Sequence, residues 1–322
     1  MLSSPAKKRG VFVGRVLANE PLCRGHYRLR LGLEHFPSTR PGQFVQLQCR
    51  TPGEQASGRA VDWPDGAWPR LTQPELAGKE PLLRRPLSLA GRRDGAAGAE
   101  LELIYRAIGI GTHWLTGVPE GMQLSVLGPL GNGFTIFPDK PKAALIGGGV
   151  GVPPMIYLAE ALAAAGKQVT AFCGARTADM LPLALDRAKV SPAGRPELCA
   201  GEFSRLSVPT VIATDDASLG VGGTVAGAFD EWLKLSRPAE GELAVYSCGP
   251  EPMMQAVALI ALSRGYRCQL AMERHMACGM GTCQSCIVKV RDPQDGPKTE
   301  RGWSFKLCCT DGPVFEASQI VW

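Results

Sequence analysis

Five of the eleven cysteines fall within the last 45 residues, and three of them read Cys278-x4-Cys283-x2-Cys286. A further cysteine follows at Cys308 or Cys309. Three thiols on one tight loop and a fourth from a distant segment is the plant-type spacing for a [2Fe–2S] cluster. Two irons bridged by two sulfides need four converging thiolates. Gly279 and Gly281 let such a loop curl and let its N–H groups approach the cluster sulfurs. A four-cysteine zinc site is the competing reading. Zinc sites usually gather their ligands as two tight C-x2-C-type pairs, whereas here one gap is four residues and the fourth ligand stands alone. His275 lies close by and is assigned a surface or supporting role, since four cysteines already suffice.

The other six cysteines are scattered (Cys23, Cys49, Cys173, Cys199, Cys248 and Cys268) and read mostly as small buried apolar residues. An odd total in a chain of 322 residues argues against a disulfide framework. That length fits two domains with room for a small third. With 35 basic and 30 acidic residues the net charge is +5, and no basic block is present. Nucleic-acid binding needs a clustered basic footprint, so no nucleic-acid partner is expected. The longest uncharged stretches, Gly121 to Pro138 and Ala143 to Ala159, are each broken by four glycines and two prolines, so no membrane span is expected. Arg15 interrupts the apolar residues that follow Lys7, Lys8 and Arg9, no signal-peptide core results, and a cytoplasmic protein is the expectation.

The first 135 residues read as β-rich. Tyr27, Leu29, Leu31 and Leu33 alternate with polar or small residues; Phe44 to Cys49, Leu101 to Arg106 and Met122 to Leu127 follow the same period. Gly/Pro turns between short strands predict a small antiparallel barrel or sandwich. Residues 50–82, with five prolines and two tryptophans, break the rhythm as a surface insertion. Trp63 and Trp68 are expected to pack back on the barrel rather than dock on a partner.

From about residue 141 strands and helices alternate. Strands are predicted at Ala143 to Ile146, Gln168 to Cys173, Val208 to Ala213 and Leu243 to Ser247. Helices are predicted at Met155 to Ala165, Thr224 to Leu235 and Pro252 to Arg264. That order predicts a parallel, doubly wound sheet. Gly147, Gly148, Gly149 and Gly151 join the first of these strands to a helix opened by Pro153 and Pro154. Such a turn lets backbone approach a pyrophosphate, although it departs from the G-x-G-x-x-G pattern and also serves as a plain tight turn. Cys248, Gly249 and Pro250 form a second strand-to-helix turn, where Cys248 sits either beside a bound nicotinamide or simply buried at a strand end.

In the β-rich part, Arg85, Pro86, Leu87 and Ser88 lie on a predicted strand. A guanidinium there can hold a phosphate, and a hydroxyl can meet the edge of a flavin. Being three apart, Arg85 and Ser88 would face opposite sides of an ideal strand. Ile104, Tyr105 and Arg106 end another strand, and Gly111 and Thr112 follow, with Thr112 a candidate cap for the next helix. Taken singly these are ordinary barrel residues; their order and company carry the weight.

Together these stretches resemble the electron-transfer subunits of NAD-dependent (class 1B) dihydroorotate dehydrogenases, within the ferredoxin–NADP reductase-like group. The resemblance runs over nearly the whole chain except 50–82. Pro41 to Phe44, Arg84 to Ser88, Tyr105-Arg106, Gly111-Thr112, Gly128 to Phe134, Gly147 to Pro154, Thr214 to Asp216, Gly223 to Val225 and Cys248 to Pro250 carry it. Most specific are Glu273 to Cys283 and Cys309 to Phe315. In this family the fourth cluster cysteine directly precedes a T-D-G-P-V-F-like string, which favours Cys309 over Cys308.

The resemblance implies a β-barrel plus α/β architecture. An N-terminal antiparallel FAD-binding barrel would span 1–140, a doubly wound NAD domain 141–266 and a small [2Fe–2S] domain 267–322. FAD would be held by Arg85 to Ser88, Ile104 to Arg106, Gly111 and Thr112. NAD, as substrate, would be held by the glycine loop and Cys248 to Pro250. The cluster ligands would be Cys278, Cys283, Cys286 and Cys309. A separate FMN-containing catalytic subunit would oxidise dihydroorotate, two copies of each subunit being expected. The alternative is a ferredoxin–NAD(P) reductase-like subunit of another oxidoreductase complex with the same fold and cofactors. The 22 residues between Cys286 and Cys309 are long for the family, and the polar stretch Asp292 to Arg301 accounts for the excess. No HExxH, P-loop or G-x-S-x-G motif occurs, consistent with a chain that moves electrons and leaves proton abstraction to its partner.

Overall fold

The protein is described from a computed structural model, which covers residues 9–51, 61–62, 64–68, 70–71, 81–292 and 299–322. Gly10–Cys23 (β1) and His26–Leu33 (β2) form a long antiparallel hairpin. Along β2 Leu29, Leu31 and Leu33 are buried and Arg28, Arg30 and Gly32 half-buried, the period of two expected there. Phe44–Leu47 (β3) follows, then a two-residue pair, Val61–Asp62 (β4) with Arg70–Leu71 (β5), and then Arg85–Gly95 (β6) and Gly98–Arg106 (β7). A short helix, Ile110–Thr116 (α1), leads into Gln123–Leu130 (β8). Strands close in the order β1-β2-β7-β6-β3-β8. Closure removes both sheet edges and encloses a core of Val16, Leu31, Val45, Leu47, Leu101 and their neighbours.

Lys142–Gly148 (β9) begins the parallel sheet, and Val152–Ala164 (α2) leads to Gln168–Ala175 (β10). A four-residue helix, Gly201–Ser204 (α3), precedes Thr210–Thr214 (β11) and Val221–Gly222 (β12). Val225–Ser236 (α4), Leu243–Cys248 (β13), Glu251–Leu262 (α5) and Arg267–Ala271 (β14) complete the winding. Thr224 caps α4 by accepting the N–H of Gly227. Alternate residues of β9 face opposite ways: Ala143 and Leu145 pack with α2, Ala144 and Ile146 with α4 and α5. Helices therefore cover both faces, which is the doubly wound arrangement.

The last segment adds an antiparallel hairpin, Ile287–Arg291 (β15) with Trp303–Leu307 (β16), and an edge strand, Val314–Glu316 (β17). The parallel sheet crosses the boundary placed at 266/267. It includes β14, and β17 extends it antiparallel along the edge, in the order β12-β11-β10-β9-β13-β14-β17. The long gap between Cys286 and Cys309 is this hairpin, and residues 293–298 of its loop lie outside the described residues. Trp68 is 87% exposed, which corrects the expectation that it packs on the barrel; Trp63 lies outside the described residues. Among the described residues no helix is long and apolar enough to cross a membrane.

Candidate functional site

Arg85 opens β6 and pairs with Leu47 of the neighbouring β3; Pro86, Leu87 and Ser88 pair with Gln46, Val45 and Phe44. The whole run is half-buried: Leu87 packs against the barrel core, and its neighbours form a partly accessible strip. The Arg85 guanidinium lies over Gly111, where a Cβ would come within 2.7 Å of its Nε. Only glycine leaves that space. The first N–H groups of α1 have no carbonyl behind them within the helix, so a cation and free donors meet at one place. That pairing suits the pyrophosphate of a dinucleotide.

Thr112 is not the cap of α1. Gly109 holds that position, and the Thr112 hydroxyl, one turn inside, accepts the N–H groups of Ile108 and Gly109 at 3.0 and 3.1 Å. Tyr105 and Ile104 also depart from expectation. Register turns Tyr105 into the barrel, where it is 1% exposed, stacks on Tyr27 and donates to Asn19 Oδ1 at 3.1 Å. Burial pushes its phenol well above the usual range. Ile104 packs with the α2 side of the parallel sheet. Neither side chain faces the strip, so only the backbone here and the exposed Arg106 remain as contacts. Asn19 was not foreseen; its amide also donates to the carbonyls of Leu115 and Val118, bracing α1 from within.

Beyond β8, Asn132 joins the barrel to the C-terminal segment. Its Nδ2 donates to the carbonyls of Asp311 and Val314, both at 2.9 Å, and its Oδ1 accepts the Val314 N–H at 2.9 Å.

The glycine loop and the Cys248 turn lie side by side, because β9 and β13 are adjacent and parallel, with Gly147 opposite Cys248. The chain winds from β9 to β10 on one side and reaches β13 on the other, so this is the switch point where open α/β sheets bind ligands. Gly149 has φ +54° and open space around it, and a Cβ on Gly151 would strike the Cys248 carbonyl. Cys248 itself is buried, and burial pushes its thiol up to about 12. It is therefore a neutral thiol at neutral pH and not a thiolate nucleophile.

Among the candidate cluster ligands, Cys278 Sγ accepts the N–H groups of Met280 and Cys283, both at 3.4 Å. Gly279 and Gly281 take φ of +69° and +90°, as the curled loop requires, and Gln284 shares that left-handed region at +57°. Ser285 lies 3.2 Å from Cys283 Sγ, and its hydrogen bonds pull that thiol down to about 6. Cys286 is buried, as are Cys308 and Cys309. Cys309 faces Cys286, Cys278 and the N–H of Gly281, and burial with the Cys286 contact pushes it up to about 11. Cys308 is held through its backbone N–H to the Cys286 carbonyl at 2.9 Å, and burial pushes its thiol up to about 12. A thiol such as Cys309, which burial and its Cys286 neighbour keep protonated, is stabilised as a thiolate by a coordinated cation. Among the described residues no three His, Cys, Asp or Glu side chains close on a single ion. A binuclear cluster asks instead for two pairs of thiolates, so the donor set and its inward N–H groups fit iron–sulfur ligation. His275 is exposed.

The family model for the iron-sulfur cluster binding domain of dihydroorotate dehydrogenase B matches residues 273–321. The chain is 36% identical over 311 residues to the dihydroorotate dehydrogenase B (NAD(+)) electron transfer subunit of Geobacillus sp. (strain WCH70), covering 95% of this chain and 96% of that one. It is 33% identical over 285 residues to the subunit of the same name from Desulforamulus reducens, covering 88% and 87%. Among solved structures, one of an NADH-dependent reduced ferredoxin-NADP oxidoreductase shares the fold, with a TM-score of 0.69 and 24% identity over 100% of this chain and 92% of that one. The Amycolatopsis cytochrome P450 reductase GcoB aligns over 80% of this chain and 66% of that one, with a TM-score of 0.56 and 24% identity. Identity at that level over nearly the full length of both sequences, with the cluster segment inside it, establishes that the chain belongs to the family of electron transfer subunits of dihydroorotate dehydrogenase B (NAD(+)).

Proposed function

We propose that this chain takes electrons from a separate FMN-containing subunit that oxidises dihydroorotate and delivers them to NAD+, in pyrimidine (UMP) biosynthesis. Family membership supports the reading, and one structural observation carries it: the cysteine loop packs on the strand that pairs with the Arg85-to-Ser88 strip and is tied to the turn after Cys248. Arg85 lies on Gly111, Gly279 of the cysteine loop lies on Gln46 of the neighbouring strand, and Gly151 lies on Cys248. Arg274, four residues before Cys278, donates to Glu251 at 2.8 Å, tying the cysteine loop to the turn after Cys248. When bound, FAD and a [2Fe–2S] cluster supply the exchange between single electrons and electron pairs that side chains cannot perform.

The residues of the chain then have positioning tasks. Arg85 and the start of α1 hold the FAD pyrophosphate, and Pro86 to Ser88 line the strip beside it. Cys278, Cys283, Cys286 and Cys309 hold the cluster. Gly147 to Gly151 and Cys248 to Pro250 receive NAD+, with Cys248 offering no charge to the nicotinamide. The assembly holds two copies of each subunit and works in the cytoplasm. Anaerobic co-purification with the cell's own partners, read by visible absorbance and EPR, tests this. Flavin bands, a reduced [2Fe–2S] signal and dihydroorotate-dependent NAD+ reduction by the complex are expected. Cofactors present with a different partner and no such activity would overturn the assigned substrate.

A further inference from the structure

Gln46 sits on β3, between Val45 and Leu47, whose side chains fill the barrel core. Alternation therefore turns Gln46 outward, with Phe44, toward the C-terminal segment. Phe44 indeed packs in one apolar cluster with Cys286, Cys308 and Cys309. Gln46 is nevertheless 0% exposed, and neither Oε1 nor Nε2 has a hydrogen-bond partner. An amide buried without partners is costly, so such a group calls for an explanation.

Its surroundings supply one. A Cβ on Gly279, the residue after Cys278, would come within 2.6 Å of Gln46 Oε1 and 3.1 Å of Nε2. The amide thus lies flat against the cysteine loop. Across the strand pair Gln46 faces Pro86, in the middle of the Arg85-to-Ser88 strip. A polar group is held dry where the barrel strip and the cysteine loop meet, with its donor and acceptor both open.

We propose that Gln46 is a positioning residue for the cluster: its Nε2–H donates to a sulfur of the group held by Cys278, Cys283, Cys286 and Cys309. The inference rests on those four as ligands. A hydrogen bond to a cluster sulfur stabilises the extra negative charge of the reduced form and raises the reduction potential. Gln46 thereby favours residence of the electron on the cluster beside the flavin strip.

The test is an EPR-monitored redox titration of the holo complex, with iron and sulfide counted first. In Gln46→Met, close in shape but without the donor, the cluster content stays and the cluster midpoint moves to lower potential. In Gln46→Leu, which also lacks the donor, it moves in the same direction. The flavin midpoint stays in both. Unchanged cluster potential and g values, or a shift of the flavin midpoint alone, would overturn the proposal. Wild-type protein without iron would instead remove the ligand assignment, and this inference with it. Should Gln46→Met lose its cluster, side-chain 15N-glutamine labelling carries the test in a Gln284→Glu background, since Gln284 lies in the same loop. A 15N coupling to the reduced cluster supports the contact, and its absence overturns it.

Discussion

Asn132 and Val314 bind each other twice: the Val314 N–H donates to Asn132 Oδ1, and Asn132 Nδ2 donates to the Val314 carbonyl, each at 2.9 Å. This peptide-like pairing fastens the end of the last barrel strand to the strand that edges the parallel sheet. Gly131 sits next to it, where a Cβ would come within 2.5 Å of Pro313. The close approach and the side-chain pairing together set how the cysteine segment seats on the barrel.

Asn132→Ala leaves the Val314 N–H and carbonyl unpaired at a buried position. A loss of about 1–3 kcal/mol in unfolding free energy is expected. Denaturant melts of the holo protein measure it, and release of iron should begin earlier in the transition than in wild type.

The fourth ligand is separable by mutation. Cys308→Ala retains iron, sulfide and the EPR signal, at a stability loss of about 1 kcal/mol. Cys309→Ala loses the cluster. Retention of a full cluster by the second variant and its loss from the first would reverse the assignment.

Gly111→Ala should weaken FAD binding, because the new methyl displaces the Arg85 guanidinium. Hydrogen bonds to a charged group contribute about 1.5–3 kcal/mol, so FAD affinity should fall roughly tenfold to a hundredfold. Fluorescence titration of FAD-depleted protein reads the change, and Arg85→Ala should match it.

Thiol reactivity should separate by site in cluster-depleted protein. Cys283 is pulled down to about 6, so its thiolate forms as pH rises through 6 and its alkylation rate should level off by about pH 8. Cys248 is pushed up to about 12 and should stay unmodified across the same range. Peptide mapping after brief iodoacetamide treatment distinguishes them; fast labelling of Cys248 at pH 7 would contradict the buried neutral thiol.

Much of this protein was legible residue by residue. The Cys278-to-Cys286 spacing, the strand and helix of the glycine loop, and the Pro/Gly-punctuated strands all act over a few neighbours, where periodicity and backbone freedom decide the outcome. Gly279 and Gly281 adopt the left-handed conformations that their places in the loop demanded. Direction of facing was not legible in the same way. Tyr105 and Ile104 sit on a correctly expected strand, yet alternation sends Tyr105 into the barrel core and Ile104 out toward α2. Thr112 lies one turn inside a helix whose start Gly109 sets.

The sequence by itself determined the cysteine spacing, the succession of strands and helices and the two glycine turns, because each is specified by residues close along the chain. Only the tertiary structure decided that Asn132 pairs with Val314, 182 residues away, that Gln46 rests on Gly279, and that Cys309 rather than Cys308 faces the Gly281 N–H. Those relationships arise when the barrel, the parallel sheet and the C-terminal hairpin close on one another, and packing between distant surfaces leaves no local spacing to read.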